Sequence, residues 1–309
     1  MRSAPETPVD AAFAPALDYR LATIPGSRLQ VRGPLPDFSD PFVAILGGNE
    51  VFGKYVASPF PELLADRLGL PVANLGVAHA GLSLFSEEQV LLDIASKADV
   101  TVLQVLGAQN MSNRLYSVHS RRNDRFLGVS PALRELFPQV DFAEINFTGH
   151  LINSLQAASS EAFDILVKEL KWAWVQRMRR VLSLIRGDVI LLWVSDHGPD
   201  TTSGDTAFAE PHFVDGAMLA EIAGSYTALV DVLVEPTAAM DGKIFPEKEA
   251  TAAERVPAQS DHARIADSLD QAFAALGKRP GNAQDAAGAV DQSFSISSGT
   301  AVNRSATRP

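Results

Sequence analysis

The chain has 309 residues, of which 46% are hydrophobic and 20% are charged, and its formal net charge is −11. This length and composition predict one substantial globular α/β domain with extensions, and the negative charge disfavours binding to nucleic acid or to anionic lipid. The absence of cysteine excludes disulfides, thiolate nucleophiles and cysteine-ligated metals.

The first 41 residues predict an extension ahead of the main fold. We expect residues 1–17, which are rich in alanine and proline, to form a loose arm. In residues 19–41, turn residues interrupt short alternating stretches, which indicates a small β-ribbon. The N-terminus lacks the continuous apolar stretch of a secretory signal, and no apolar window reaches the roughly 20 residues needed to cross a bilayer. We therefore expect a cytoplasmic protein with no membrane partner, and periplasmic residence by another route stays open.

From residue 42 onward, short apolar runs alternate with amphipathic segments. An apolar run without polar alternation is typical of a strand that is buried on both faces of a parallel sheet. Predicted strands lie at residues 43–46, 72–75, 100–106, 188–194 and 229–234. Predicted helices lie at residues 58–70, 86–98, 160–187, 218–228 and 260–276, and the last helix has Ser260 or Asp261 as its expected N-cap.

This alternation predicts an α/β fold, a three-layer sandwich around a parallel sheet of about five strands, over residues 42–277. Residues 278–309 are rich in Gly, Ala, Ser and Asn and predict a disordered tail. Ligands of such sheets bind beyond the carboxyl ends of the strands. The loops after Leu46, Leu75, Leu106 and Val194 are therefore the places to expect a functional site.

Four loops carry the polar and glycine-rich motifs GGNEVFG, NLGVAHAG, GAQNMSNR and SDHARIA. The first three follow the first three predicted strands, and the fourth begins the last helix. In their order and spacing, these motifs resemble the four blocks of the SGNH, or GDSL-like, hydrolase superfamily over residues 42–276. The resemblance implies an SGNH-like fold and a hydrolase whose nucleophile, oxyanion-hole amides and histidine base come from these loops.

The resemblance assigns a role to each matching residue of the first two motifs. Gly47 and Gly48 fall on the glycine and aspartate of the first block, and Asn49 falls on its nucleophilic serine. Gly76 or Gly81 would offer a backbone amide to the oxyanion hole. A tight strand-to-helix turn is an equal alternative interpretation of residues 47–49, because Gly and Asn tolerate positive φ.

The last two motifs match the family unevenly. Gln109 falls on the oxyanion-hole asparagine, Asn110 on the aspartate that follows it, and His262 on the general base. Gln259 stands where the family has the aspartate that orients this base. An asparagine amide is a poor nucleophile, although it can donate and accept hydrogen bonds. These departures argue against ordinary serine esterase chemistry, and they leave a ligand pocket of the same shape.

A second signal is the positive charge concentrated at residues 113–126, NRLYSVHSRRNDRF. Arginine binds carboxylate, sulfate and phosphate in a bidentate manner, so this segment predicts a small anionic substrate. The candidate substrate-binding residues are Arg114, His119, Arg121, Arg122 and Arg125. An internal network of ion pairs is the alternative. The GG, NLG and RRNDRF runs also resemble an uncharacterised alphaproteobacterial family of unknown function, which implies a bacterial protein.

Residues 195–213 carry side chains of the types that bind metals, namely Asp196, His197, Asp200, Asp205 and His212. Their spacing matches no recognised metal motif, and the chain has neither a Walker loop nor a Gly-x-Gly-x-x-Gly fingerprint. We therefore expect no metal and no cofactor, and we interpret this segment as a flexible, partly lid-like loop.

Three functional hypotheses follow. The first is a divergent SGNH-like hydrolase or transferase that acts on an anionic ester- or sugar-linked substrate without the usual serine. In this hypothesis the substrate is positioned by Asn49, Gly76 and Gln109 or Asn110. His262 is the base, and Arg121 and Arg122 clamp the anion. The second is a non-catalytic ligand-binding protein with the same pocket. The third is an interaction protein that docks an acidic partner through its arginine-rich loop. The sequence does not predict the oligomeric state.

Overall fold

The structure is a computed structural model that describes residues 17–201, 210–234, 240–279 and 294–297. A parallel sheet of six strands forms its centre. In chain order these strands are β3 (Val43–Gly47), β4 (Val72–Gly76), β5 (Val100–Gln104), β8 (Asp188–Ser195), β9 (Ala228–Leu233) and β10 (Phe294–Ser297). Their order across the sheet is β10-β9-β8-β5-β3-β4. The α/β three-layer sandwich predicted from the sequence is confirmed.

The central strands are buried on both faces, as their apolar runs predict. Every residue of β3 and β5 is buried, and one apolar cluster lies on each side of the sheet. In the parallel register, Gly47 pairs with Gly76, Gln104 with Leu192, and Trp193 with Asp231. Because all six strands are parallel, their carboxyl ends lie along the same edge of the sheet.

Ten α-helices are found in the described part of the chain. They are α1 (Asn49–Phe52), α2 (Phe60–Leu68), α3 (Leu82–Glu87), α4 (Gln89–Ala95), α5 (Pro131–Leu136), α6 (Thr148–Ala158), α7 (Ser160–Leu184), α8 (Gly216–Glu221), α9 (Ala250–Ala253) and α10 (Gln259–Ala275). Helix α7 contributes to the apolar cluster on one face of the sheet, and α2 and α10 contribute to the cluster on the other face. None of the described helices combines the length and the apolar character needed to span a membrane.

Two antiparallel hairpins lie outside the central sheet. Strands β1 (Leu21–Thr23) and β2 (Gln30–Arg32) form a ribbon within the N-terminal extension, and β6 (Tyr116–Val118) and β7 (Phe126–Val129) form a second hairpin after β5. The second hairpin contains most of the arginine-rich segment. It brings that segment beside the carboxyl edge of the sheet.

Three boundaries differ from the sequence prediction. Helix α8 ends at Glu221, and a turn with Gly224 at φ 84° leads into β9, so the predicted helix at 218–228 is too long. Helix α10 has Ala258 as its N-cap, and the carboxylate of Asp261 accepts from the Ala258 N–H at 2.8 Å. Strand β10 pairs with β9 within the segment predicted to be disordered. Most of that segment, and residues 1–16 of the predicted arm, lie outside the described residues.

Candidate functional site

A cavity of about 150 Å³ lies at the carboxyl edge of the sheet, where the loops after β3, β4, β5 and β8 meet. The polar residues that line it are Asn49, Glu50, His79, Gln104, Asn110, Asp124 and Glu210. A wider cleft of about 1010 Å³ shares all of these residues except Gln104. We call these two spaces the inner cavity and the outer cleft. Their position agrees with the rule that ligands of parallel sheets bind beyond the strand ends.

Glu50 is held in the inner cavity by the last residue of β5. The side-chain amide of Gln104 donates to Glu50 Oε2 at 2.9 Å, and Gln104 Oε1 accepts from the Gly48 N–H at 2.9 Å. Glu50 remains partly accessible to solvent, although protein atoms surround its carboxyl group. Burial raises the pKa of Glu50, the hydrogen bond from Gln104 opposes this rise, and the charge of Glu210 adds to it.

Glu210 has the opposite electrostatic environment. Its Oε1 lies 2.8 Å from Nδ1 of His212 and accepts from the Gln109 side-chain amide at 3.0 Å. Desolvation of the Glu210 carboxyl group opposes its ionisation, although 49% of the side chain is exposed. The charge and hydrogen bonds of His212 and the hydrogen bond from Gln109 outweigh this effect and lower the pKa of Glu210 below the usual value. Of these two carboxyl groups in the inner cavity, Glu210 is the more readily ionised and Glu50 the more readily protonated.

A histidine and an aspartate lie beside this carboxyl pair. Nδ1 of His79 is 3.4 Å from Oδ2 of Asp124, and both residues line the inner cavity. His79 adopts a left-handed backbone conformation with φ 62°, which is uncommon for a residue with a side chain. Burial lowers the pKa of His79, although the charge of Asp124 acts in the other direction. The imidazole is therefore held as a neutral hydrogen-bonding group at neutral pH.

Asn49 supports the conformation of His79. The Asn49 side-chain oxygen accepts from the His79 backbone N–H at 3.1 Å, and Asn49 lies at the start of α1 in the lining of both spaces. The residue that falls on the serine of the SGNH pattern thus faces the cavity. It holds a neighbouring loop through its amide oxygen.

His262, the expected general base, does not lie in the described lining of the inner cavity or the outer cleft. Its side chain is 1% exposed and its ring stacks on Phe60, with the centroids 5.8 Å apart. Nδ1 accepts from the Phe60 N–H at 3.1 Å, which connects α10 to α2. Burial, together with the positive charges of Arg32 and Lys243, lowers the pKa of His262 to about 3. We therefore assign His262 a structural role in place of the catalytic one.

The two glycine amides expected to form an oxyanion hole are already used inside the protein. The Gly76 N–H donates to Oδ1 of Asn74 at 3.0 Å, and the Gly81 N–H donates to Oδ1 of Asn123 at 2.8 Å. Gly76 also lies outside the described lining, and a Cβ atom there would come within 2.3 Å of the Phe52 nitrogen. Close packing therefore explains the glycine at position 76, which we remove from the candidate site.

Gln109 and Asn110, two of the candidate site residues, lie at the carboxyl edge of the sheet beside these spaces. Gln109 lines the outer cleft and is 5% exposed, and its amide binds Glu210. Asn110 lines both spaces, and its Oδ1 accepts from the Thr148 hydroxyl at 2.5 Å. Their role is to hold neighbouring side chains in place around the cavity.

Asp124 of the arginine-rich segment lines both spaces, but the candidate substrate-binding residues of that segment do not. None of Arg114, His119, Arg121, Arg122 and Arg125 is among the described residues that line the inner cavity or the outer cleft. Arg114 forms an ion pair with Glu169 and stacks over Trp172, with 4.7 Å between the guanidinium carbon and the ring centroid. Arg122 contacts Asp124 at 3.2 Å, and His119 Nδ1 accepts from two backbone amides of its own turn. The predicted clamp for an anionic substrate is not formed, because these side chains make ion pairs or face solvent.

A family model described as "Domain of unknown function (DUF6473)" matches residues 9–277. The chain belongs to this family. No curated protein matches it. The alphaproteobacterial origin expected from the sequence stays a prediction.

Several solved hydrolase structures are similar to this DUF6473 chain at low identity. The lipase Lip_vut3 from a goat rumen metagenome is 11% identical, with a TM-score of 0.41 over 75% of this chain and 97% of that one. LAE5, an alpha/beta hydrolase from the metagenome of Lake Arreo, Spain, is 14% identical, with a TM-score of 0.39 over 77% of this chain and 95% of that one. A lipolytic protein assigned to the G-D-S-L family, from Desulfitobacterium hafniense DCB-2, is 14% identical, with a TM-score of 0.35 over 75% of this chain and 99% of that one. Likenesses at this level do not establish a shared activity.

The segment at 195–213 contributes to the site through Glu210 and His212. Ser195 connects the beginning of this segment to Glu210. Its hydroxyl donates to the Glu210 carbonyl at 2.6 Å and lies 2.7 Å from Nδ1 of His197. Among the described residues, no group of histidines and acidic side chains has a geometry that could hold a metal ion. Asp205 and the rest of residues 202–209 lie outside the described part of the chain.

The sequence interpretation missed Glu50, Gln104, Asp124 and Glu210. Two of them carried a usable signal. Glu50 directly follows the candidate elbow, and Gln104 places a polar amide in the otherwise apolar strand VTVLQVL. A buried amide at a strand end requires hydrogen-bond partners, so it points to a polar site nearby. Asp124 and Glu210 lie in long loops, where sequence spacing does not reveal the direction of a side chain.

Proposed function

We propose that this chain is a hydrolase or group-transfer enzyme that acts on an ester- or sugar-linked substrate through Glu50 and Glu210, without a serine nucleophile. The observation that carries the proposal is that one cavity holds two carboxyl groups whose environments shift their pKa values in opposite directions. Such pairs supply an acid and a base at the same pH.

The lining of the inner cavity favours water or an acceptor hydroxyl as the nucleophile. No serine, threonine, lysine or tyrosine is among the described residues that line it. The hydroxyl of Thr148 in the outer cleft is bonded to Asn110, and that of Ser195 is bonded to the Glu210 carbonyl. Asn49 cannot form an acyl-enzyme, because the lone pair of its amide nitrogen is delocalised.

The proposed reaction moves one proton at each carboxyl group. Glu210, as the carboxylate, takes a proton from water or from an acceptor hydroxyl, and that oxygen bonds to the electrophilic carbon. Glu50, in its protonated form, gives its proton to the leaving oxygen as the bond to carbon breaks. Exchange with solvent returns the proton from Glu210 and restores the one on Glu50. His212 and Gln109 favour the ionised form of Glu210 at the start of this cycle.

The test is turnover by the purified full-length chain on a panel of nitrophenyl esters and nitrophenyl glycosides. We expect Glu210→Gln and Glu50→Gln each to reduce turnover of an accepted substrate by about 10²-fold or more, the usual contribution of a general acid or base. The matched control is Glu135→Gln, which changes an exposed carboxylate on α5. If turnover persists in Glu210→Gln, the proposal is wrong. If a ligand binds and no substrate is turned over, the chain is a binding protein.

A further inference from the structure

The reaction proposed above gives no role to His79, the histidine that lines the inner cavity. His79 lies in the loop after β4 and also lines the outer cleft. Its φ of 62° is a left-handed conformation, which residues with a large side chain rarely adopt. Glycine would adopt this conformation without strain. The presence of an imidazole at such a position, in the lining of a cavity, therefore requires an explanation.

The left-handed conformation of His79 is fixed on both sides of the residue. Its N–H donates to the Asn49 side-chain oxygen at 3.1 Å, and its carbonyl accepts from the Asn123 N–H at 3.1 Å. Asn123 is fully buried, and its Oδ1 accepts from two backbone N–H groups that follow His79 in the chain, at 2.8 and 3.0 Å. Strain that the surrounding structure enforces in this way is typical of functional sites. Asn123 also connects the loop of His79 to the turn that contains Asp124.

Asp124 fixes the orientation of the His79 ring. Oδ2 of Asp124 lies 3.4 Å from Nδ1 of His79, and the same oxygen accepts from Arg122 at 3.2 Å. A carboxylate oxygen has two lone pairs, so the ion pair with Arg122 holds the carboxylate in place and leaves a lone pair for His79. Because a carboxylate only accepts hydrogen bonds, a neutral imidazole in this orientation carries its proton on Nδ1.

The other ring nitrogen of His79, Nε2, is available to a ligand. No hydrogen bond to Nε2 is found among the described residues, and 33% of the side chain is exposed. Burial lowers the pKa of His79, and the positive charges of Lys54 and Arg122 add to this effect. The charges of Asp124 and Glu249 oppose the decrease without reversing it, so the ring is neutral at neutral pH. A neutral Nε2 accepts a hydrogen bond and donates none, so it fits a hydroxyl group.

We propose that His79 is a substrate-binding residue whose Nε2 accepts a hydrogen bond from a substrate hydroxyl, and that Asp124 is the residue that positions its ring. The substrate class is then a glycoside or an ester of a polyol, in place of a simple alkyl ester. In a cavity of about 150 Å³, a hydroxyl bound to His79 lies close to the bond on which Glu50 and Glu210 act. This inference rests on the proposed function, because it concerns the same cavity.

The first test measures the tautomer of His79 and needs no substrate. Proton–nitrogen correlation spectra of the histidine rings in the full chain distinguish a proton on Nδ1 from a proton on Nε2, and His79→Gly assigns the signals of His79. We expect the proton on Nδ1 at neutral pH, and a shift towards Nε2 in Asp124→Asn, because the carboxylate acceptor is lost. A proton on Nε2 in the unmodified chain, or a tautomer that is unchanged in Asp124→Asn, would overturn the inference.

The second test uses His79→Gly to separate substrate binding from a structural role. Glycine suits the left-handed conformation, so the midpoint of thermal unfolding should stay within about 3 °C of the unmodified value. We expect kcat/KM for a nitrophenyl glycoside, or the affinity if the chain binds it without turnover, to fall about 10-fold, the effect of losing one hydrogen bond. The values for a deoxy analogue that lacks the bound hydroxyl should not change.

The matched control is Arg20→Gly. Arg20 precedes β1, is also left-handed, with φ 48°, and lies outside the described lining of the inner cavity and the outer cleft. This variant replaces a left-handed residue by glycine as His79→Gly does, and it should change neither the kinetic constants nor the preference for the hydroxyl.

Two results of the second test would overturn the inference. One is an equal preference for hydroxyl-bearing over deoxy substrates in His79→Gly and the unmodified chain, which would leave His79 a structural residue. The other is a lack of binding or turnover of every hydroxyl-bearing substrate in the panel. The proposed function fails on a different result, which is turnover that survives Glu210→Gln. The tautomer of His79 can be measured in either case, so the two failures are distinguishable.

Discussion

His212 Nδ1 lies 2.8 Å from Oε1 of Glu210, and this contact, with the amide of Gln109, lowers the pKa of a half-exposed carboxyl group that desolvation alone would raise. In the same cavity, burial raises the pKa of Glu50. If the two groups act as base and acid, turnover requires ionised Glu210 and protonated Glu50. Turnover should fall as pH drops through the lowered pKa of Glu210 and as pH rises through the raised pKa of Glu50.

The measurement is a pH–rate profile of kcat/KM on an accepted substrate, which should be bell-shaped. In His212→Phe, the acid limb should move to higher pH, because Glu210 loses the partner that favours its ionised form. If the acid limb is unchanged in this variant, His212 does not set the pKa of Glu210.

Gly107→Ala should disrupt the site without unfolding the protein. The added Cβ would lie 2.2 Å from Gln109 Oε1 and 2.9 Å from both Glu210 Oε2 and the His212 nitrogen, so the carboxylate must move. We expect loss of turnover, and of ligand binding, of about 10²-fold, since small misplacements of catalytic groups cost this much. Gly128→Ala in β7 is the control, because a Cβ there has nothing within 4 Å. Equal activity in the two variants would contradict the placement of Glu210.

Gln104→Leu should lower stability and change the pKa of Glu50. Gln104 is 4% exposed, and its removal leaves the Gly48 N–H and the Glu50 carboxyl without their partner. We expect a loss of about 1–3 kcal/mol in the free energy of unfolding, measured with urea. The alkaline limb of the activity profile should move to higher pH, because Gln104 lowers the pKa of Glu50. Gln139→Leu, at an exposed position, is expected to change stability by less than about 0.5 kcal/mol.

The order and class of the main elements could be predicted from the sequence, because a buried parallel strand leaves an apolar run and its helices leave amphipathic segments. The apolar run of β5 is an example, and the polar positions that follow β3 and β5 did reach the cavity, as Asn49 and Asn110 show. Parallel strands end at one edge, so their following residues are brought together regardless of their separation in sequence.

The side chains that complete the site could not be predicted in the same way. Glu210 and Asp124 lie in loops without a repeating pattern, so only the folded chain determines where their carboxyl groups point. The position of the His262 side chain, at the start of a helix, also could not be predicted from the sequence. Helix α10 begins at Gln259, earlier than the expected N-cap, and the ring of His262 packs against Phe60 of α2.

Protonation of His262 should lower the stability of the folded chain in acid, and replacement of His262 should not reduce turnover. Its pKa is about 3 in the folded chain, compared with an ordinary value of 6.5, so the unfolded chain binds a proton that the folded chain does not. The stabilisation is complete above pH 6.5 and is lost as pH falls towards 3. At about 1.4 kcal/mol per pKa unit, the loss is at most about 5 kcal/mol.

The check is urea unfolding of His262→Phe across this pH range. The variant should be less stable at neutral pH by about 1–3 kcal/mol, because the Phe60 N–H loses its acceptor, and it should lose less stability on acidification than the unmodified chain. His150→Gln, at an exposed position on α6, should follow the unmodified chain. A large loss of turnover in a folded His262→Phe protein would restore His262 as a catalytic candidate.

The most direct measurement is an NMR titration of the glutamate side-chain carboxyl carbons, with Glu50 and Glu210 assigned by their glutamine variants. The pKa of Glu50 should lie above the ordinary glutamate value and that of Glu210 below it. In Glu210→Gln, the pKa of Glu50 should fall, because the charge of Glu210 contributes to raising it. Titration of both groups at ordinary values, or a pKa of Glu50 that is indifferent to Glu210→Gln, would contradict an acid–base pair in this cavity.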